Sequence, residues 1–167
     1  MMDPEGGAPA PSQQRLHGVA EYETAIDTVI ASAQRNLRIF DRSLSREYNS
    51  PRRYDLLRDF LLASRVNRVQ IVVHEPDAIH RDCPRLVNLL KQFSHALAIH
   101  RTQPRARRVY DPFLLADDVS YVHRFHYDQP RGVLALGDLN GGQELLGRYE
   151  EIWEASDPAL SATTLGL

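Results

Sequence analysis

The amino-acid sequence predicts a single α/β domain, a mixed β-sheet flanked by helices. Three observations lead there. Segments with helical apolar spacing alternate with short β-branched runs, the clearest of them Val69-Gln70-Ile71-Val72-Val73. The alternation continues along the chain rather than separating into helical and strand halves, which is the mark of a sheet covered by helices. The 167 residues, 43% of them hydrophobic and 25% charged, suit one domain with a real core better than two small ones.

The elements follow in order. Residues 1–16 are small, polar and rich in Pro and Gly over their first part, and are expected to be a disordered N-terminal segment; the domain is expected over 17–156 and a loose tail over 157–167. A first helix is predicted from Val19 to Asn36, where Ala25, Ile26, Val29, Ile30 and Ala33 recur on one face. Leu37 to Phe40 reads as a strand. The polar stretch Asp41 to Ser50 ends at Pro51, a helix start, and Tyr54, Leu57, Phe60 and Leu61 continue the amphipathic pattern. After the strand over Val69–Val73, His74 to Cys83 is a polar loop, and Pro84 opens a helix through Leu86, Leu89, Leu90 and Phe93. A strand at Ala96–His100 leads into a basic loop with Arg101, Arg105, Arg107 and Arg108. Strands are then expected over Val109–Ala116 and Tyr121–Tyr127, joined through Asp117-Asp118, and over Gly132–Leu136. A last helix near Gln143–Ala155 carries Leu145, Tyr149, Ile152 and Trp153.

Composition narrows the function classes. No stretch approaches the roughly 18 consecutive apolar residues of a membrane helix, and the N-terminus has neither the basic nor the apolar region of a secretory signal, so a cytoplasmic location without membrane contact is expected. Cys83 is the only cysteine, which rules out an internal disulfide and argues against a cysteine-based zinc site. Net charge is −2, so no overall field draws the chain to nucleic acid. The basic residues are nineteen arginines and one lysine, Lys91. Arginine suits bidentate contacts with phosphate or carboxylate, and a GC-rich genome encodes it by default.

The order of elements and the strand-end motifs resemble the minimal single-domain phospholipase D-like proteins, and also a bacterial family of phospholipase D-like domains. That family carries an H-x-K-x4-D motif on one strand, followed by a G-S-x-N segment and a closing strand and helix. Here the matching stretch is Tyr110-Asp111-Pro112-Phe113-Leu114-Leu115-Ala116-Asp117, in which Asp117 takes the aspartate's place while Tyr110 replaces the histidine and Pro112 the lysine. The G-S-x-N segment falls on Arg124-Phe125-His126-Tyr127 and matches none of it; Gly132–Leu136 and the helix ending at Glu151-Ile152-Trp153 fit. The resemblance spans about Val19 to Ala155. It implies the fold, and it implies loss of the family's phosphodiesterase chemistry, in which the histidine attacks phosphorus and the lysine steadies the phosphoryl oxygens. A phenol, with a reference pKa of about 10, needs strong activation to attack phosphorus, and proline has neither charge nor donor. Lys91 lies on a helix away from the motif.

Beside that resemblance, the densest chemistry is Tyr121 to Asp128. As a strand it would set Arg124, His126 and Asp128 on one face and Tyr121, His123, Phe125 and Tyr127 on the other. The first set suits anion binding, acid–base work or simply a solvated face; His123 among aromatics suits a packed histidine. His123 and His126, three apart, point to opposite faces, so no metal site is expected, and no cofactor. Asp41-Arg42 and His74-Glu75 follow the first two strands, where open α/β sheets place ligands, and with Tyr110, Arg124 and His126 they are candidates to line one cleft. Arg52 and Arg53 at a helix start need a carboxylate, with Glu47 or Asp55 the local candidates. Three functions stay open. The first is a catalytically inactive module that binds a protein partner or a phosphate-containing ligand, homodimeric as the resemblance implies, with Tyr110 and the Tyr121–Tyr127 strand near the two-fold axis. The second is a hydrolase rebuilt around His126 and Arg124 with Tyr110 or His74. The third is nucleic-acid binding through Arg101–Arg108 and Arg52-Arg53.

Overall fold

The computed structural model describes residues 10–160. Along the chain it contains β1 (Ser12–His17), α1 (Val19–Ser32), β2 (Asn36–Asp41), α2 (Pro51–Ala63), β3 (Arg68–Val73), α3 (Ile79–Asp82), α4 (Pro84–Gln92), β4 (Leu97–Thr102), β5 (Phe113–Ala116), β6 (Ser120–His126), β7 (Gln129–Leu136), α5 (Leu139–Glu154) and β8 (Ser156–Leu160). One mixed sheet holds all eight strands in the order β1-β7-β6-β5-β2-β3-β4-β8. β2, β3 and β4 are parallel neighbours joined by helical crossovers, while β5, β6 and β7 form an antiparallel meander attached to β2.

The pleat of each central strand serves two cores. Leu37, Ile39, Ile71 and Leu114 point toward α1, α2 and α4; Phe40, Val72, Phe113 and Leu115 point toward α5, where Leu145, Tyr149 and Ile152 cover them. Both faces are buried, so the central strands read as near-continuous apolar runs. Ser50 caps α2 by accepting the Arg53 N–H at 3.1 Å, with Pro51 in the first helical position, and Asp138 caps α5 through Gly141.

Two expectations at the chain ends are corrected. Ser12–His17, assigned to a disordered N-terminal segment, is an edge strand antiparallel to β7, although only Leu16 in it is buried. The pairing is tertiary and a single apolar residue gives no periodicity to detect. Ser156–Leu160, assigned mostly to a loose tail, pairs antiparallel with β4 and buries Leu160. Residues 1–9 and 161–167, the remainder of those two segments, lie outside the described residues. The strand expected over Val109–Ala116 is regular only from Phe113, because Pro112 has no N–H to give the ladder. Its carbonyl still accepts the Arg124 N–H at 2.8 Å, and the Tyr110 carbonyl accepts that of Tyr127 at 2.9 Å.

Candidate functional site

Topology brings distant residues to one edge of the sheet. β2, β3 and β4 are parallel, so Asp41-Arg42, His74-Glu75 and Arg101-Thr102 emerge together. β5 runs against β2 and β6 against β5, which places Tyr110 and the end of β6 at the same edge. Two cavities open there. The larger, 430 Å³, is lined by Arg42, His74, Asp77, Arg101, Arg107 and Tyr127, with Glu75 at its side. The smaller, 160 Å³, lies between α1 and the β2–α2 loop, with Tyr22, Glu23, Asp41, Tyr48 and Arg124 in its wall. Arg42 and Tyr127 border both.

In the larger cavity the cations are held differently. Arg42 sits 4.9 Å above the Tyr127 ring and 3.5 Å from the Glu75 carboxylate. Arg101 pairs with Asp77 at 2.5 Å. Arg107 has no ion pair among the described residues. His74 is fixed by both ring nitrogens: Nε2 donates to the Val109 carbonyl at 2.8 Å, and Nδ1 lies 2.6 Å from the Thr102 hydroxyl. A carbonyl only accepts, so Nε2 is the donor there, and Nδ1 is engaged by the Thr102 hydroxyl. The ring also packs edge-on to Phe40. His74 is a structural histidine with no free nitrogen for an incoming group.

The smaller cavity concentrates half-buried charge. The Arg124 guanidinium lies 5.1 Å over the Tyr22 ring and its Nε donates to the Gln129 carbonyl at 2.7 Å. Burial pushes the Asp41 carboxyl from 3.8 up to about 7; the Arg42 N–H at 2.7 Å and the Arg124 charge pull it down, and Glu23 pushes it up further. Behind this cavity Arg53 is 1% exposed. Its Nη2 and Nε reach Glu23 at 2.8 Å and Asp27 at 2.9 Å, and its plane lies 4.5 Å over Tyr48. The helix-start arginines are thus compensated from α1, with Arg52 also 3.3 Å from Asp27, and not by Glu47 or Asp55. Nearest in sequence was the wrong guide, since α1 packs across the start of α2.

The expected triplet of Arg124, His126 and Asp128 on one face does not form. A bulge shifts the β6–β7 register between Arg124 and His126, so strict alternation stops there. Arg124 turns into the smaller cavity. His126 turns to the rim, where Nδ1 accepts the Asp128 N–H at 3.1 Å and the ring packs against Tyr127 and Tyr110 at 4.7 and 5.7 Å. Asp128 is 66% exposed at the hairpin tip. Tyr127, read as belonging to the opposite face, lines the cleft instead. Tyr110 is on the rim, 45% exposed, and Pro112 is buried.

The partners of two carboxylates escaped sequence reading. Asp111 accepts from His123 Nε2 at 2.8 Å and from Arg148, so the histidine packed edge-on between Phe113 and Phe125 has an acidic partner. Asp117 lies at the far edge of the sheet, where its carboxylate accepts the N–H groups of Gln34, Arg35 and Asn36 at 2.7–2.9 Å. Among the described residues no cluster of three His, Cys, Asp or Glu side chains could hold a metal, and no helix is long and apolar enough to cross a membrane.

A family model described as a domain of unknown function, DUF7931, matches residues 17–165. No curated protein matches the sequence. Among solved structures the chain is similar to Nuc of Salmonella typhimurium, a phospholipase D family member (TM-score 0.62, 14% identity, 91% of this chain and 100% of that one). It is also similar to NucT of Helicobacter pylori (TM-score 0.60, 15% identity, 90% and 100%). TrmBL2, an archaeal chromatin protein whose structure shows DNA binding, aligns with a TM-score of 0.66 at 10% identity over 88% of this chain and 54% of its own. At these identities the likeness establishes the phospholipase D-like α/β fold and nothing about activity.

Proposed function

We propose that this chain, which belongs to the DUF7931 family and has the phospholipase D-like fold, is a non-catalytic module that binds a phosphate-containing ligand in its cleft. One observation carries the reading. The cleft is lined by Arg42, Arg101 and Arg107, while the two motif positions at the same edge of the sheet hold an exposed phenol and a buried proline ring. Arginines stay charged and bind phosphate oxygens bidentately, yet none serves as the attacking group. His74, the one histidine in the cavity wall, has both nitrogens occupied. A hydrolase built on Arg124 and His126 needs both on one substrate, yet Arg124 is held by the Gln129 carbonyl and the Tyr22 ring while His126 packs on Tyr127 and Tyr110 at the rim. The reading includes a homodimer with exposed Tyr110 near the two-fold axis, so that two cleft rims meet.

Calorimetric titration with inorganic phosphate, run beside an assay with bis(p-nitrophenyl) phosphate, tests this directly. The expected result is saturable binding without release of p-nitrophenol, with binding lost in Arg101→Ala/Arg107→Ala. Turnover that survives purification and disappears in His126→Ala would establish the hydrolase instead. Light scattering at micromolar concentration reads the dimer, and a monomer removes that part of the proposal.

A further inference from the structure

We infer that the open sheet face formed by β1, β7 and β6 beside α5 is a second binding surface, built for single-stranded nucleic acid. Strand register fixes which residues share it. His17 pairs with Arg131, Arg15 with Val133, and Val133 with His123, and directly paired residues point the same way. Val133 belongs to the core under α5, so this is the α5 face, whereas Leu16 and Leu134 turn to α1. Phe125 lies on it too, 5.8 Å from the His123 ring and 58% exposed.

The charge on this face is unbalanced. Arg15 and Arg131 are exposed and make no ion pair or side-chain hydrogen bond among the described residues. The acids nearby are committed or peripheral: Asp111 is held by His123 and Arg148, Glu21 accepts the His17 N–H at 2.7 Å, and Asp128 lies at the hairpin tip. Two free guanidinium groups around a solvent-facing aromatic ring are the elements of a stacking platform. The cations take phosphates and the ring takes a base face. An acidic protein segment would use the arginines but has no use for the exposed phenyl, and duplex DNA hides its base faces. This surface is independent of the cleft, which opens at the strand ends, and of the Arg101–Arg108 loop.

Fluorescence anisotropy with a labelled oligothymidylate of about 20 nucleotides, across a salt series, tests the assignment. The full chain is expected to bind, with affinity falling as salt rises. Arg15→Ala/Arg131→Ala should reduce the slope of log K against log salt by about 1.4, from roughly 0.7 per phosphate contact on a single strand. Phe125→Ala should weaken binding by about 5- to 150-fold with the salt slope unchanged, the size of one lost base stack. Because these side chains are exposed, circular dichroism should confirm that the variants fold. No binding at low salt overturns the inference. So does binding abolished by Arg101→Ala/Arg107→Ala but untouched by the sheet-face variants, or equal competition by polyglutamate. A Phe125→Ala variant that changes the oligomeric state in place of the oligonucleotide affinity would assign the ring to a subunit contact.

Discussion

The two edges of the sheet differ in how their carboxylates are used. At the turn between β5 and β6, Asp117 and Asp118 adopt positive φ, 53° and 61°. The Asp117 carboxylate then caps three consecutive N–H groups after α1, and Asp118 pairs with Arg38. Gly142 lets α5 rest on this turn, since a Cβ there would lie 1.9 Å from the Asp118 carbonyl oxygen. At the opposite edge, Asp41 is half-buried with its carboxyl at about 7, Arg53 Nη1 has no hydrogen-bond partner among the described residues, and Tyr110 faces solvent. One edge is closed architecture and the other keeps charge in reserve. The contrast explains how one motif position can match the family while two do not. Asp117 holds backbone, so its role is independent of chemistry, whereas position 110 sits on the rim beside Tyr127 and position 112 is buried just before β5, and neither side chain caps backbone as Asp117 does.

Substitutions that unbalance either edge test this contrast. The largest effect is expected at Arg53, where Ala leaves Glu23 and Asp27 facing each other behind the smaller cavity; urea denaturation should show a loss of about 3–5 kcal/mol. Asp117→Ala should cost about 2–3 kcal/mol, because three N–H groups lose a charged acceptor that part-exposed water replaces incompletely. Asp117→Asn should recover part of that loss, as asparagine tolerates the left-handed backbone and keeps one acceptor oxygen. If Asp117→Ala leaves stability unchanged but alters phosphate binding, the division between the two edges fails.

How far the sequence anticipates each edge follows the same physics. The parallel trio of β2, β3 and β4 was legible because strands buried on both faces spell continuous runs such as Val69–Val73. The gathering of Asp41-Arg42 and His74-Glu75 at one edge followed from strand order alone. β1 was not legible, since its pairing with β7 depends on one apolar residue, Leu16. The split of Arg124 from His126 was hidden because the extra residue sits on the partner strand, where Pro130 and Gly132 mark an irregularity without saying which way the facing side chains turn. Arg148 reaches Asp111, and Asp27 reaches Arg53, from helices far along the chain, and such partners are set by packing and not by spacing.

Asp41→Asn should invert the usual sign of a core substitution. The folded carboxyl titrates near 7 and the unfolded one near 3.8, so the fold holds a proton between these values that the unfolded chain has released. Ionisation above pH 7 therefore works against folding, and stability from this group declines as pH rises from about 4 to 7. Asparagine keeps the acceptor for the Arg42 N–H without the charge. A gain of about 1–2 kcal/mol is expected at pH 8, less than the full shift implies because the side chain retains some solvent contact, fading toward zero below pH 4. Equal gain at every pH would mean that the carboxyl is not the source.

The smallest expected stability effect belongs to Arg107, and it separates binding from architecture most cleanly. Its side chain is exposed, lines the larger cavity and pairs with nothing among the described residues. Arg107→Ala should leave the urea midpoint within about 0.5 kcal/mol of the parent, as surface substitutions without partners do. Arg101→Ala forfeits only the exposed pair with Asp77 and should cost about 0.5 kcal/mol. Phosphate titration should nevertheless weaken in both, and more in Arg107→Ala, whose guanidinium has no resident carboxylate to leave before an anion arrives. A stability loss at Arg107 comparable to that at Asp117 would show that the cleft edge is as tightly built as the turn edge, and that its unpaired cation is not held for a ligand.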